Sequence, residues 1–293
     1  MDGAIVVDKG AGWTSHDVVN KMRRIAATER VGHLGTLDPA ATGVLPVVVG
    51  KATRLAQFYT RSDKVYEGVV RFGWATNTYD GDGAPVGDKR EVVVDRAELE
   101  GLLDRFRGEI RQTPPPVSAK KVDGRRAYEL ARKQIAVTLD PVEVQVYELE
   151  LLGVDGAEAR LRVHCSGGTY VRSIAHDLGT LLGCGAHLGE LRRLSSGEFE
   201  IARARTIPQL EALAADGRLI DALVAASEML PAFPSVYVEE AAVRDIRNGR
   251  NFPASPFRAQ PGAKYVKAVT RQGELVAVGE VVVPNLYHPM VVL

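Results

Sequence analysis

The loop Gly32–Gly43 constrains the fold of this chain more than any other stretch. Its sequence, GHLGTLDPAATG, holds three glycines and a proline among twelve residues, and these residue types favour turns over helix or strand interiors. The apolar run Val44–Val49 follows directly and predicts a buried strand. Because a buried strand fixes the end of the loop before it, this loop is a suitable place to present reactive side chains.

Two interpretations of this loop are open at the level of local sequence. In the first, Asp38 caps a short helical turn, with Pro39 at its first position. In the second, the Asp38 carboxylate and the His33 imidazole take part in chemistry, and other parts of the chain supply their partners. Local composition alone favours the first interpretation, so the decision depends on the rest of the sequence.

Length and composition indicate a globular protein with one large and one small domain. The chain has 293 residues, of which 45% are hydrophobic and 25% charged, as is ordinary for soluble proteins. The formal net charge is zero, but residues 105–133 hold nine basic and three acidic side chains, 140–159 six acidic and no basic ones, and 241–293 seven basic and three acidic ones. Such blocks are either solvated faces or contact surfaces for a polyanion.

Cysteine usage and hydropathy indicate the compartment. Only Cys165 and Cys184 are present, too few for a disulfide framework or a structural zinc site. The sequence shows no signal-peptide pattern and no apolar run that approaches a membrane span. We therefore expect a cytoplasmic protein without a membrane partner.

Hydrophobic periodicity predicts both strands and helices. The predicted strands are Ala4–Val7, Val44–Val49, Lys64–Phe72, Val142–Leu152 and Ala159–Cys165. The predicted helices are one with Ser15 as its N-cap, then Lys51–Tyr59 and Arg96–Phe106. Between them, Thr76–Gly83 is a polar turn that lacks the closing glutamate of a calcium loop, so we predict no metal site there.

Two positions are candidate partners for the reactive loop. A helix that begins near Thr169 places Arg172 in an early turn, where the helix dipole disfavours a cation, and this favours a dedicated partner. The alternative for Arg172 is a surface ion pair with Asp177. Tyr66 on the strand Lys64–Phe72 is either a half-buried strand tyrosine or part of a site.

Basic stretches elsewhere fit contact with an anionic polymer. Residues 113–138 combine three prolines with a basic cluster around an Asp-Gly turn, which predicts either an arm that closes over an anion or a solvated excursion. Arg192 and Arg193, which follow the apolar Leu191, could contact phosphates.

The C-terminal residues predict a separate small module. Leu230–Pro234 has the composition of a linker. Beyond it, the stretch from Tyr237 to Leu293 predicts a helix at Glu239–Asn248 and three or four short strands, among them Glu274–Val278 and Glu280–Val283.

Five motifs in order resemble the TruB family of tRNA pseudouridine synthases, over nearly the whole chain. They are Asp8–Ser15, Gly32–Gly43, Asp63–Tyr66, Cys165–Arg172, and Gly183–Leu188 with Leu191–Leu194. The first motif departs from the family, which usually has Lys-Pro where this chain has Lys9-Gly10, and this affects only a local turn. The tail from Tyr237 is similar to a PUA RNA-binding domain.

The resemblance implies an α+β protein with the pseudouridine synthase fold. That fold has a mixed, mostly antiparallel sheet flanked by helices and loops, a thumb-like insertion at about 113–138 in this chain, and a small β-rich PUA-like C-terminal domain. The implied domains are a catalytic one over 1–234 and an RNA-binding one over 235–293. The implied reaction converts uridine 55 in the TΨC loop of tRNA to pseudouridine after the base is flipped out, without a metal or an organic cofactor.

The same resemblance assigns roles to eight residues. The catalytic residues are Asp38 as nucleophile, Arg172 as its partner and Tyr66 against the flipped base, and the substrate contacts are His33, Tyr170, Leu191, Lys9 and Arg54. The implied partner is the TΨC arm of tRNA, no guide RNA is expected, and we expect a monomer. Two alternatives are a guide-RNA-dependent pseudouridine synthase and an RNA-binding or tRNA-folding protein.

Overall fold

A computed structural model describes residues 1–118, 121–122, 125–126, 139–254 and 263–293. The α-helices are α1 (Ser15–Ile25), α2 (Arg96–Leu103), α3 (Val171–Leu181), α4 (Ile207–Ala215) and α5 (Glu240–Arg247). The 3₁₀ helices are Gly50–Tyr59, Asp104–Phe106, Ile201–Arg203 and Leu219–Ala222. In the described ranges, no helix is long and apolar enough to cross a membrane.

Strands make up most of the remaining regular structure. The first nine are β1 (Gly3–Lys9), β2 (Val31–His33), β3 (Thr42–Val49), β4 (Lys64–Phe72), β5 (Ala75–Thr76), β6 (Pro85–Val86), β7 (Gly108–Gln112), β8 (Lys121–Val122) and β9 (Arg125–Arg126). The others are β10 (Val142–Asp155), β11 (Glu158–Cys165), β12 (Ala186–Ser196), β13 (Phe199–Glu200), β14 (Leu223–Ala225), β15 (Ser235–Tyr237), β16 (Phe252–Pro253), β17 (Tyr265–Val269), β18 (Leu275–Val283) and β19 (Leu286–Val292). Each strand predicted before the linker lies inside one of these strands.

Ten strands form the large sheet that carries the reactive loop. Its order is β14-β1-β3-β12-β4-β11-β10-β7, with β2 paired to β3 and β13 paired to β12. Only the β3–β12 pair among these is parallel, and the other pairs in this sheet are antiparallel. The predicted α+β architecture with a mixed, mostly antiparallel sheet is therefore confirmed.

Helices cover one face of this sheet. Apolar residues of α1 to α4, such as Met22, Leu99, Ile174 and Leu210, share one buried core with alternate residues of the strands. The N-cap of α1 is Thr14, whose side chain accepts from the backbone N–H of Asp17. The prediction of Ser15 as the cap was wrong by one residue, because the Ser15 hydroxyl is bonded to Leu37 of the reactive loop instead.

A second, five-stranded sheet shares a buried core with residues on the opposite face of the large sheet, and its strand β19 contacts the first 3₁₀ helix. This sheet has the order β15-β17-β18-β19-β16, and its residues Val278 and Val291 share a buried core with Val6 and Val48 of the large sheet. The predicted break between Val278 and Glu280 does not exist. Gly279 continues β18 and does not form a turn. A Cβ atom at this position would lie 2.6 Å from the Phe252 ring, so a glycine here makes room for that ring.

The predicted thumb-like insertion, at about 113–138, lies largely outside the described residues. Within that range, the structure describes a short antiparallel hairpin between β8 and β9, in which Lys121 pairs with Arg126 and Val122 with Arg125.

The parallel contact between β3 and β12 depends on Gly43. The Cα atoms of Gly43 and Arg193 are direct partners in this pair, and Gly43 has a φ of 97°. A Cβ atom at this position would lie 2.2 Å from the Arg193 carbonyl oxygen. Since a backbone carbonyl in a sheet cannot move away freely, only glycine fits.

We expect Gly43→Ala to lower the free energy of unfolding by about 3 kcal/mol or more, because the methyl group overlaps a main-chain carbonyl. Gly12→Ala is the matched control. Gly12 also has a positive φ, 81°, but no atom lies within 4 Å of its Cβ position, so backbone strain alone costs about 1 kcal/mol. Urea unfolding of both variants measures the difference, and equal losses would contradict the role of the close approach.

Candidate active site

Asp38 lies in a turn of the loop between β2 and β3. Its carbonyl accepts from the N–H of Ala41 (3.1 Å), so the predicted turn is present, but the segment is not helical and the carboxylate caps nothing. The preceding Leu37 donates its N–H to the Ser15 hydroxyl (2.8 Å), which in turn donates to the Leu37 carbonyl (3.1 Å). These bonds fix the backbone before Asp38 against the first residue of α1.

Lys9, at the end of β1, fixes the backbone on the other side of Asp38. The side chain is fully buried, and its ammonium donates to the carbonyls of Gly10 (2.9 Å), Trp13 (2.8 Å) and Pro39 (3.0 Å). Burial lowers the pKa of Lys9 to about 8, although the nearby charge of Asp38 favours the ammonium. With three bonds to carbonyls, Lys9 holds the loop, and this placement does not fit the predicted phosphate contact.

Arg193 holds the rest of the loop from strand β12. It is 1% exposed, and its guanidinium donates to the carbonyls of Val44 (2.7 Å), Thr36 (3.2 Å) and Gly35 (3.1 Å). Two of these carbonyls lie within the loop and the third directly after it, so one side chain donates to the backbone on both sides of Asp38. The expectation of a phosphate contact for Arg193 was wrong because the side chain points into the protein.

Arg172 binds Asp38 from the first turn of α3. Its Nη2 donates to Oδ1 of Asp38 (3.1 Å) and its Nε lies 3.0 Å from Oδ2, which is a bidentate contact. Its Nη1 donates to the Thr78 carbonyl and to the Asp80 carboxylate, both at 3.1 Å. The side chain is only 6% exposed, so the alternative of a surface pair with Asp177 was wrong.

Opposing effects set the protonation of Asp38. Burial raises the pKa of this carboxyl above its ordinary value, and the positive charge of Arg172 opposes the rise, while Asp80 adds to it and Lys9 lowers it. The side chain is nevertheless 41% exposed, because it borders an open cleft. A partly exposed carboxylate that is held on one side by a guanidinium and open on the other can attack an electrophile.

An open cleft of about 400 Å³ borders Asp38 and Arg172. Tyr66, Tyr170 and Leu191 also line it, so the structure brings together five of the eight predicted site residues. Tyr66 is 9% exposed, and burial raises the pKa of its hydroxyl, which is therefore protonated at neutral pH. The cleft is thus lined by one carboxylate, two phenol rings and the cationic side chains of Arg172, Arg193 and Lys64.

Hydrogen bonds to its backbone hold Tyr170 in the cleft. It lies at the N-cap of α3, where its side chain makes no capping bond. Instead, the buried side-chain amide of Gln112 on β7 accepts from the N–H of Tyr170 (2.8 Å) and donates to its carbonyl (2.9 Å). This pair of bonds fixes both the Tyr170 backbone and the start of the helix that carries Arg172.

His33 and Arg54 lie outside the lining of this cleft. His33 ends β2, and its Nδ1 accepts from the N–H of Gly35 (3.3 Å), while burial lowers its pKa so that the ring is neutral at pH 7. Arg54 is exposed on the first 3₁₀ helix and donates to the Val292 carbonyl (2.6 Å) of the C-terminal sheet.

Two groups of the site have no role in the sequence prediction. Asp80, which binds Arg172, lies in a polar turn that offers no signal besides its carboxylate. Lys64 lines the cleft and donates to the Ser62 carbonyl, and the period of the strand places it on the same face as Tyr66 without indicating a function. Among the described residues, no group of three or more His, Cys, Asp or Glu side chains could hold a metal ion.

Replacing the buried guanidinium tests how the loop is held. We expect Arg193→Lys to lower the free energy of unfolding by about 2–4 kcal/mol, because one ammonium cannot reach all three carbonyls and leaves buried acceptors unpaired. Arg192→Lys is the neighbouring control: Arg192 is 42% exposed and pairs with Asp8, so its change stays below about 1 kcal/mol. Urea unfolding compares them, and similar small losses would contradict this account of the loop.

Two family models cover most of the chain. The N-terminal domain of the TruB family of pseudouridylate synthases matches residues 23–171, which include Asp38 and Tyr66. The C-terminal domain of tRNA pseudouridylate synthase B matches residues 172–230, beginning at Arg172.

Full-length relatives agree with these family models. The chain is 69% identical to tRNA pseudouridine synthase B of Solibacter usitatus (strain Ellin6076), over 100% of both chains. It is 42% identical to tRNA pseudouridine synthase B of Ectopseudomonas mendocina (strain ymp), over 96% of this chain and 92% of the relative.

Among solved structures, a chain of the archaeal box H/ACA sRNP Nop10–Cbf5 complex is 28% identical with a TM-score of 0.69, over 95% of this chain and 78% of that one. A chain of an H/ACA RNP bound to a substrate RNA containing 2′-deoxyuridine is 27% identical with a TM-score of 0.72, over 98% of this chain and 83% of that one. The predicted pseudouridine synthase fold is thereby confirmed. With a family model over more than half of its length and a relative 69% identical from end to end, the chain belongs to the TruB family of pseudouridylate synthases.

Proposed function

We propose that this protein isomerises uridine 55 in the TΨC loop of tRNA to pseudouridine, with Asp38 as the nucleophile. The observation that carries the proposal is the bidentate contact by which Arg172 holds Asp38 at the edge of an open cleft. Relatives at 69% and 42% identity are tRNA pseudouridine synthases by name, which supports tRNA as the substrate class.

The proposed reaction moves uracil from a nitrogen to a carbon attachment on the same ribose. The N1–C1′ bond breaks, the C5–C1′ bond forms, C5 loses a proton and N1 gains one, so no oxidant, reductant or external group is consumed. Asp38 attacks either the base or the anomeric carbon of the ribose. Both routes need an ionised carboxylate, and the Arg172 guanidinium favours that form against the effect of burial.

The base must leave its stack in the folded loop to reach Asp38, at a cost of a few kcal/mol. We assign to Tyr66 and Tyr170 the two ring surfaces that receive it and to Leu191 the apolar contact between them. Because the raised pKa of Tyr66 keeps its hydroxyl protonated, stacking is its role in this proposal. His33 fills the space left in the RNA loop.

RNA contacts away from the base belong to other parts of the chain. We assign residues 1–234 to the catalytic domain and 235–293 to a PUA-like RNA-binding domain. We assign to the exposed Arg54, which donates to the Val292 carbonyl of β19, a contact with the tRNA backbone, and to the predicted thumb-like insertion at 113–138 a contact with the TΨC arm. Cytoplasmic location and a monomeric state remain predictions.

A guide-RNA-dependent synthase is the second candidate, because the matching solved structures are H/ACA complexes with TM-scores of 0.69 and 0.72. Relatives that match over the full length and are named for tRNA favour the stand-alone enzyme. A protein that only binds or folds tRNA would have no need of a buried arginine clamped between two carboxylates.

Asp38→Asn is expected to abolish pseudouridine formation, because the amide keeps the size of the carboxylate but not its charge. The affinity for tRNA is expected to stay within about tenfold, or ~1.4 kcal/mol. Tritium release from tRNA labelled at C5 of uridine measures the reaction, and filter binding measures affinity. Asp88→Asn, at an exposed position, is the control; turnover by Asp38→Asn at the normal rate would remove Asp38 from the mechanism.

Arg172→Met is expected to slow single-turnover reaction by about 100-fold or more, because the carboxylate loses its orientation. It also removes the main charge that lowers the pKa of Asp38. The reaction needs the ionised form and is lost as pH falls through this pKa, so the acidic limb of the rate profile moves to higher pH. Arg172→Lys keeps the charge and shifts the limb less. An unchanged limb in Arg172→Met would contradict the pairing.

A further inference from the structure

An aromatic stack outside the cleft joins the two elements that hold Arg172. The rings of Tyr79 and His176 lie 3.7 Å apart between centroids, at an interplanar angle of 10°. Tyr79 belongs to the loop of residues 77–84 between β5 and β6, and His176 belongs to α3. Neither residue lines the cleft that borders Asp38, so the stack has no direct contact with the site proposed for the base.

The position of Tyr79 in its loop links it to Arg172. Its two neighbours, Thr78 and Asp80, supply the carbonyl and the carboxylate that accept from Nη1 of Arg172, each at 3.1 Å. Tyr79 itself has a φ of 66°, a left-handed conformation that a bulky residue adopts only when its surroundings enforce it. A contact of the Tyr79 ring therefore bears directly on the geometry of both flanking groups.

The position of His176 on its helix links it to the same arginine. His176 follows Arg172 by four residues, so both side chains lie on one face of α3, one turn apart. The buried Nδ1 atom of His176 has no hydrogen-bond partner among the described residues. Burial also lowers the pKa of His176, which keeps the ring neutral. The Tyr79 ring is thus the contact that orients a helix residue one turn beyond Arg172.

Backbone bonds fix the loop on its other side. The Tyr79 carbonyl accepts from the N–H of Leu188 on β12 (2.9 Å), and the N–H of Gly81 donates to the Leu188 carbonyl (3.0 Å). The loop is therefore held to β12 by its main chain and to α3 by the Tyr79 ring and the Arg172 bonds. Among the described residues, the hydrogen bonds that join this loop to α3 are those that Arg172 makes.

We propose that Tyr79 and His176 are a positioning pair, whose stack sets the loop of residues 77–84 against α3 and so fixes the direction in which Arg172 holds Asp38. This proposal rests on the proposed function, because it concerns the orientation of the nucleophile. It gives the pair a role in the rate of the chemical step and none in tRNA binding.

The test separates the ring of Tyr79 from its backbone conformation. Glycine adopts a φ of 66° without strain, so Tyr79→Gly removes the ring without adding backbone strain, and Tyr79→Phe keeps a ring that can stack. With purified full-length protein and an unmodified tRNA transcript, we expect Tyr79→Gly to lower the single-turnover rate by about tenfold or more, with tRNA affinity within about twofold of the original. Tyr79→Phe is expected to retain the original rate.

A second variant tests the other ring. His176→Leu keeps an apolar side chain at the helix position but cannot stack, and we expect a loss of rate similar to that of Tyr79→Gly. Since both variants break one contact, the double variant is expected to be no slower than the slower single one. Thermal unfolding of each variant checks that it is folded under the assay conditions.

Three results would overturn the proposal: a normal rate in either folded variant, a loss of tRNA affinity at an unchanged rate, or losses that multiply in the double variant. Asp38→Asn in the same assay separates the two levels of the account. Full turnover by Asp38→Asn would overturn the proposed function itself, whereas an inactive Asp38→Asn beside a fully active Tyr79→Gly would overturn only the role of the stack.

Discussion

The whole site depends on two buried cations that bond to the carbonyls of a loop. Lys9 donates to the Pro39 carbonyl of the reactive loop, and Arg193 donates to its Gly35 and Thr36 carbonyls. A loop of this shape cannot satisfy those carbonyls within a strand ladder, and a buried carbonyl without a partner is destabilising. The cations therefore make it possible for an irregular segment to lie inside the protein and to present Asp38 from a fixed backbone.

A second consequence of this arrangement is electrostatic. Burial of the loop raises the pKa of Asp38 and so disfavours its charged form, and the ion pair with Arg172 opposes this effect. Arg172 is itself shared with Asp80, which orients the guanidinium but also adds a negative charge near Asp38. The Asp38 carboxylate is thus only partly solvated and is paired with Arg172, while one side of it faces the open cleft. This combination is what a nucleophile needs, because tight solvation would lower its reactivity.

Much of the fold was predictable from periodicity, and part of the site was not. In strands such as β4 and β11, apolar and polar residues alternate clearly enough to be predicted from the sequence. The capping of α1 by Thr14 could not be predicted in this way, because the Ser15 hydroxyl bonds to Leu37, which lies 22 residues away in the chain. The sequence motifs predicted Asp38, Arg172 and Tyr66 as site residues. The burial of Lys9 could not be predicted from the sequence, because a lysine after a strand is ordinarily exposed. The adjacent Arg192 and Arg193 did carry a signal, since neighbours on a strand face opposite sides.

Position-resolved mapping of pseudouridine is the most direct test of the central claim. The purified protein would be incubated with an unmodified tRNA transcript and no other RNA, and every uridine in the product would be examined. The account predicts pseudouridine at position 55 and at no other uridine. Modification of a different uridine, or turnover only after a guide RNA is added, would contradict it.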